Sequence, residues 1–239
     1  MLNFIQINMK KAFTAAIELN KKLCHLPDYI VLATETYNFK GKVRSLPRGS
    51  TVINHENPRA AIIASSGLNI IKMEQLCTRD CAVGLLLHKG EKILIASIYL
   101  DIKMDVIQPW LNGLMTFADA KKYALIIGMD SNSHSILYGN ETNTRGESLE
   151  DFILKNCLTV ENVGLRPTFS VVRSTGEINS IIDVTLSKGI KYSIDNWTVR
   201  SEYNGSDHND ITFCYDNPLV QGKEVDEKRC WNKAEWEVF

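Results

Sequence analysis

Lys122–His134 reads KYALIIGMDSNSH, and it constrains this chain more than any other stretch. Ala124–Met129 is continuously apolar and too short to cross a membrane, which suits a strand buried on both faces. It ends abruptly in Asp130-Ser131-Asn132-Ser133-His134. If the extended geometry persists, alternation by two sets Asp130, Asn132 and His134 on one side. A carboxylate and an amide there can bind a hard cation or orient a water, and an imidazole can bind an anion or move a proton. A polar turn capping a strand end uses the same residue types. The stretch alone leaves the two readings level.

Other apolar runs end the same way. NFIQIN stops at Asn8, YIVLAT is followed by Glu35, and EKILIASIYL carries Tyr99 near its end. IIDVTLS holds Asp183, and Ser206-Asp207-His208 precedes a final strand expected over 210–214. Between these, Ala12, Ala16, Leu19 and Leu23 place a helix in 9–23, with Lys21 and Lys22 in its last turn. Gln108-Pro109 opens a second helix and Arg145–Asn156 is a third, amphipathic one. Short segments at 51–54, 59–65, 70–73, 79–88 and 91–100, separated by Gly, Pro and Asn, point to antiparallel sheet. Further strands are expected at 158–162 and 195–200, and Gly176 marks the turn of a hairpin.

A formal charge of −1 gives no global field to draw the protein to a polyanion. Any such binding needs a local basic patch, and Lys40, Lys42, Arg44 and Arg48 in loop 38–50 offer one; a solvated surface loop has the same composition. No stretch nears the ~18 apolar residues of a membrane helix. The opening residues lack the pattern of a secretory signal, and the six cysteines, scattered through apolar runs, fit reduced thiols of an intracellular protein. From Asp216 onward the chain turns charged, with isolated Trp231 and Trp236, and is expected to be a linker or an anchor.

Two sheets packed face to face would bring the polar strand ends to one edge. Glu35 and Asp207, assisted by Asn8, then offer oxygen ligands to Mg²⁺. Asp183 orients His208 and favours its protonated form. Asp130, held by Asn132, can orient or deprotonate a water, and Tyr99 can donate to a phosphate oxygen. Together these are the parts of a phosphodiester-hydrolysing site.

In this order, Asn8 in QIN, Glu35, Tyr99 in SIY, Asp130-x-Asn132-x-His134, Asp183 in IDVTL and Ser206-Asp207-His208 resemble the exonuclease–endonuclease–phosphatase superfamily. Arg145-Gly146, Pro167-Thr168-Phe169 and IDVTLS resemble, more narrowly, the apurinic-endonuclease-like domain of non-LTR (LINE-type) retrotransposons. Thr34 departs from that pattern, which commonly has Gln before the metal Glu. The resemblance implies an α/β (α+β) fold, a four-layer α/β sandwich of two mostly antiparallel sheets with helices outside. It implies an endonuclease domain over 1–215, with 216–239 leading toward a reverse transcriptase domain of the same polyprotein. It further implies Mg²⁺-dependent (or Mn²⁺-dependent) nicking of one strand of double-stranded DNA in the nucleus, leaving a 3′-hydroxyl that primes reverse transcription. Carried over, Asn8, Glu35 and Asp207 serve the metal, and Asp130 with Asn132 the nucleophile. His208 with Asp183, and Tyr99, serve the scissile phosphate. Lys40, Lys42, Arg44, Arg48, Arg173 and His134 are candidate DNA contacts. An abasic-site repair endonuclease, a phosphatase of the same superfamily and a non-catalytic DNA-binding module are the competing readings.

Overall fold

The computed structural model describes residues 1–139, 141–174 and 176–216. In chain order the elements are β1 (Leu2–Asn8), α1 (Phe13–Leu23), β2 (Tyr29–Thr34), the minimal hairpin β3 (Asn38–Phe39) and β4 (Lys42–Val43), β5 (Thr51–Asn54), β6 (Ala60–Ala64), β7 (Ile70–Lys72), β8 (Cys81–His88) and β9 (Glu91–Tyr99). There follow α2 (Pro109–Lys121), β10 (Ala124–Asp130), α3 (Thr144–Lys155), β11 (Thr159–Val160), the hairpin β12 (Phe169–Arg173) and β13 (Gly176–Ser180), β14 (Asp183–Lys188), β15 (Ile194–Val199) and β16 (Ile211–Tyr215).

The strands form two six-stranded sheets, ordered β15-β16-β1-β2-β6-β5 and β11-β14-β10-β9-β8-β7. Each has one parallel pair, β1 with β2 and β9 with β10, and the other pairs are antiparallel. A parallel pair needs a crossover, and α1 and α2 supply the two. The expected four-layer α/β sandwich is the observed architecture. Ala15, Ala16, Leu19 and Leu23 of α1 pack with Ile5, Ile7, Val31 and Ala33 on the outer face of the first sheet. Residues of the opposite parity, Leu2, Phe4, Ile30 and Leu32, join the larger core with Ile93, Ile95, Ile126 and the buried faces of α2 and α3. Phe4 stacks on Phe213 at 4.7 Å. Leu32 is fully buried, so Leu32→Ala should cost about 2–5 kcal/mol.

The first helix begins at Phe13, not near Met9, because Lys10 and Lys11 both hold positive φ (50° and 54°). That conformation cannot join an α-helix. At α3 the cap is Asn143, whose side chain accepts from Gly146 N. A side chain at 146 is excluded, since a Cβ there would lie 1.6 Å from His134 O. Cys24, Cys77, Cys81 and Cys214 are free thiols. The expected linker lies outside the described residues beyond Asp216.

Candidate active site

Four strands deliver their last inward-facing side chains to one edge between the sheets. Ahead of them lies a layer of small or uncharged polar groups. Thr185 Oγ1 donates to Gln6 Oε1 at 2.9 Å, Gln6 Nε2 donates to Met129 O and Val184 O, and Ser97 Oγ donates to Ala33 O across the sheets. Gly128 completes this layer, because a Cβ there would come within 2.6 Å of Leu32 and 2.9 Å of Gln6. Two residues along each strand, on the same face, stand Asn8, Tyr99, Asp130 and Asp183. The parallel and antiparallel registers pair Asp130 with Tyr99 on one side and with Asp183 on the other. The inner face thus changes from apolar to neutral polar to ionisable over one edge.

Asn8 links the two sheets there. Its amide donates to Asp130 Oδ2 at 2.7 Å and lies 3.5 Å from Glu35 Oε2, while its Oδ1 accepts from Lys10 N at 2.8 Å. By alternation Glu35 would share the α1-facing side with Val31 and Ala33. Its left-handed backbone (φ 43°) breaks that alternation, and Glu35 N donates to Arg59 O at 2.6 Å. Ser206 Oγ, from the loop before β16, donates to Asn8 O, and so docks Asp207 and His208 on the same edge.

His208 Nδ1 and Asp183 Oδ2 are 2.8 Å apart and both groups are buried. Among the described residues, Asp130, Asp183 and His208 have ligand-type atoms all within 4.8 Å of one another. Burial disfavours a charged His208, but the charge and hydrogen bond of Asp183, aided by Asp130, outweigh it and push the imidazole up to about 9. Burial and then the charge of Asp183 raise the Asp130 carboxyl well above its usual range, with His208 and Asn8 pulling the other way. Tyr99 is pushed up to about 12 by burial and by the nearby Glu35 and Asp130 carboxylates.

Alternation does not continue past Asp130. Asn132 has φ 45°, its backbone N–H donates to Asp130 Oδ1 at 3.2 Å, and its amide turns away to Leu100 O. Asn132 therefore meets Asp130 through the backbone, and the expected common side for Asp130, Asn132 and His134 is not formed. Asn143 N donates to His134 O and His134 N donates to Asn143 Oδ1, which ties His134 to the start of α3. Arg145 donates to Asn132 O at 3.0 Å and to the carbonyls of Asp101 and Met104, and so clamps loop 101–104 against the strand end. The 38–50 segment contains the β3–β4 turn, with Lys40, Lys42, Arg44 and Arg48 exposed and Tyr37, Val43 and Leu46 packed beside α1. Arg173 is exposed at the end of β12.

Sequence reasoning passes over Lys10, Lys11 and Arg59, and names Thr168 only within a motif. Lys10 pairs with Asp207 at 2.7 Å and Lys11 with Glu35 at 3.0 Å. Thr168 Oγ1 accepts from Ile182 N and Asp183 N, which fixes the entry to β14. Two adjacent lysines after a strand-end Asn carry a weak signal, and Arg59 carries none, because its partners are remote in sequence.

A family model described as endonuclease–reverse transcriptase matches residues 93–212, half of the chain. The chain is 26% identical, over its whole length, to a putative 115 kDa protein in the type-1 retrotransposable element R1DM of Drosophila melanogaster, and spans 24% of that protein. Its fold is similar to the endonuclease domain of TRAS1, a telomere-specific non-LTR retrotransposon, with TM-score 0.77 and 25% identity over 91% of this chain and 100% of the other. The Xenopus laevis APE2 catalytic domain shares the fold at 14% identity, TM-score 0.63, with 96% and 95% of the chains covered. A Bacteroides thetaiotaomicron mannosyl-6-phosphatase shares it at 13% and 0.61, with 90% and 99% covered. The chain belongs to the endonuclease–reverse transcriptase family and has the fold of endonuclease/exonuclease/phosphatase proteins.

Proposed function

We propose that the domain is a Mg²⁺-dependent endonuclease that nicks one strand of double-stranded DNA and leaves a 3′-hydroxyl to prime reverse transcription. The observation that carries this reading is the convergence of Asn8, Glu35, Asp130, Asp183 and His208 on one edge between the sheets. Its sandwich fold is shared with nucleases and with a phosphatase, so the substrate rests on the likeness to retrotransposon proteins.

The donor set fits a hard cation. Glu35 and Asp207 offer carboxylate oxygens and are less buried than Asp130 and Asp183, and Asn8 would offer its oxygen, now accepting from Lys10 N, if its amide turned over. The compact Asp130–Asp183–His208 group suits the metal less well. Asp183 Oδ2 is engaged with His208 and both Asp130 oxygens accept hydrogen bonds from buried or backbone groups, whereas Glu35 and Asp207 are paired with the exposed ammonium groups of Lys11 and Lys10, whose charge a cation would replace. When bound at Glu35, Mg²⁺ supplies positive charge to the phosphate as negative charge builds up. Asp130, raised by its surroundings, suits a base that takes a proton from the attacking water. His208, protonated at neutral pH with Nδ1 on Asp183, has Nε2 left to donate to a phosphate oxygen, and the Tyr99 hydroxyl is a second donor. Water adds at phosphorus and gives a proton to Asp130, the bond from phosphorus to the 3′ oxygen breaks, and that oxygen takes up a proton from solvent, so that a 5′-phosphate and a 3′-hydroxyl remain.

In this reading residues 1–215 form the nuclease domain and 216–239 lead toward a reverse transcriptase domain of the same polyprotein, acting in the nucleus. Incubation of supercoiled plasmid with the protein and Mg²⁺, followed by mapping of nicks and end groups, tests it. Open circles with 3′-hydroxyl ends are expected. Cleavage confined to duplexes that contain an abasic site would favour a repair enzyme instead.

A further inference from the structure

Arg59 lies just before β6, yet its side chain reaches the other sheet. Its guanidinium donates to both oxygens of Asp80 and to Asp101 Oδ2, each at 2.5 Å, and its Cζ lies 4.8 Å from the centre of the Tyr99 ring. Only 15% of the side chain is exposed. The same neighbourhood staples the sheets through the backbone. Arg59 N donates to Arg79 O, from the first sheet to the segment before β8, and Tyr99 N donates to Asp80 O within the second sheet. Asp101 is itself held, since Arg145 donates to its carbonyl. A planar cation fixed by two carboxylates and laid against one face of an aromatic ring leaves that ring little freedom.

We propose that Arg59 is a positioning residue that holds Tyr99 in register with Asp130 and Glu35. The proposal rests on the nuclease reading, in which the Tyr99 hydroxyl meets the scissile phosphate. Three of the five N–H donors of Arg59 are engaged with Asp80 and Asp101 and its face lies over the ring, so in this proposal Arg59 acts on Tyr99 and not on DNA. Its loss therefore affects turnover, not substrate affinity. Lysine cannot replace it, as an ammonium offers neither the two-pronged contact to Asp80 nor a flat face for the ring.

The test uses the full 239-residue chain carrying tyrosine labelled with ¹³C at Cζ, with the Tyr99 signal assigned through Tyr99→Phe. Arg59→Met and Arg59→Lys should both shift and broaden that signal. Nicking turnover should fall about 10- to 100-fold, the loss typical of a catalytic group displaced by about 1 Å, with KM for DNA within about twofold. In a Tyr99→Phe background, Arg59→Met should add less than about threefold, because the group it positions is already gone. An unchanged Tyr99 signal in Arg59→Met, or a full multiplicative loss in the Tyr99→Phe background, overturns the proposal. A parent protein that fails to nick DNA refutes the nuclease reading, and the Tyr99 signal then still decides the positioning role. If Arg59→Met does not fold, Asp101→Asn keeps the Arg59–Asp80 pair and gives the same readouts at smaller amplitude.

Discussion

Asp130 and Asp183 are Cα partners on antiparallel β10 and β14, two carboxylates at 2% and 3% exposure facing each other at the end of a ladder. Like charges opposite one another destabilise a sheet. The pair persists because Asn8 and the Asn132 backbone donate to Asp130, and His208 to Asp183. A functional arrangement is thus held at a cost to stability.

That cost depends on pH. Asp130 has a native pKa raised from 3.8 to about 7, so the stability it contributes is full below 3.8 and is lost as pH rises through 7. His208, raised from 6.5 to about 9, stabilises fully below 6.5, and the contribution is lost as pH climbs through 9. Both act in one direction. In EDTA, Tm should fall from about pH 4 to about pH 9.5, first through Asp130 and above pH 6.5 through His208, and Asp130→Asn should flatten the lower part of that fall and raise Tm at the alkaline end. Scanning calorimetry across that range checks this, and an equally steep fall in the variant would refute it.

Asp130→Ala and His208→Ala should each slow nicking by about 10²–10⁴-fold, the range expected for loss of a proton-transfer group. The double variant should be little slower than either alone, since such groups act as one unit. DNA affinity, measured by fluorescence anisotropy, should change little. Wild-type nicking by either variant would mean that the chemistry lies elsewhere.

Much of the fold and the site is legible in the sequence. The apolar runs are the strands, and the polar residue at the end of each run stands at the shared edge. The pairing of β16 with β1, about 200 residues apart, is not a local property, and no periodicity reveals it. The positive φ of Glu35 goes with a tertiary bond to Arg59 O, and that of Asn132, a residue type that visits this region readily, goes with a local bond to Asp130 and a tertiary one to Leu100. That is why extended alternation mispredicts Asn132 and His134. Arg145-Gly146 stands out as a motif, but only the structure gives its reason, a carbonyl clamp beside a point where no Cβ fits.

Loop 38–50 is anchored on its apolar side and presents Lys40, Lys42, Arg44 and Arg48 to solvent. Replacing all four by Ser should weaken binding to every DNA sequence alike. The slope of log K against log salt should drop by up to about 3–4, roughly 0.9 for each phosphate that is no longer neutralised. Titrations at several salt concentrations read it out, and an unaltered slope would make this an ordinary solvated loop.

The β12–β13 hairpin should select the cut site. Its base is bonded to the catalytic edge. Phe169 bridges to His208, their rings lie 5.1 Å apart nearly edge to face, and Ser170 N donates to Asp207 O at 2.9 Å. Its far end stands in solvent, with Val172 81% exposed and Arg173 beside it. A cation next to an exposed apolar side chain suits a probe of the minor groove, where width and ease of deformation report sequence. Residues 172–178 can be replaced by a short Gly-containing turn without touching Phe169, Ser170 or any group at the edge. The shortened protein should keep the parent's total nicking rate within about threefold while redistributing nicks over DNA of mixed sequence, because the tip acts on groove shape alone. Primer-extension mapping of both proteins on one plasmid compares the patterns. An identical ladder would move target selection to loop 38–50 or beyond this domain, whereas a collapse in rate would mean that the hairpin supports His208 as well as the DNA.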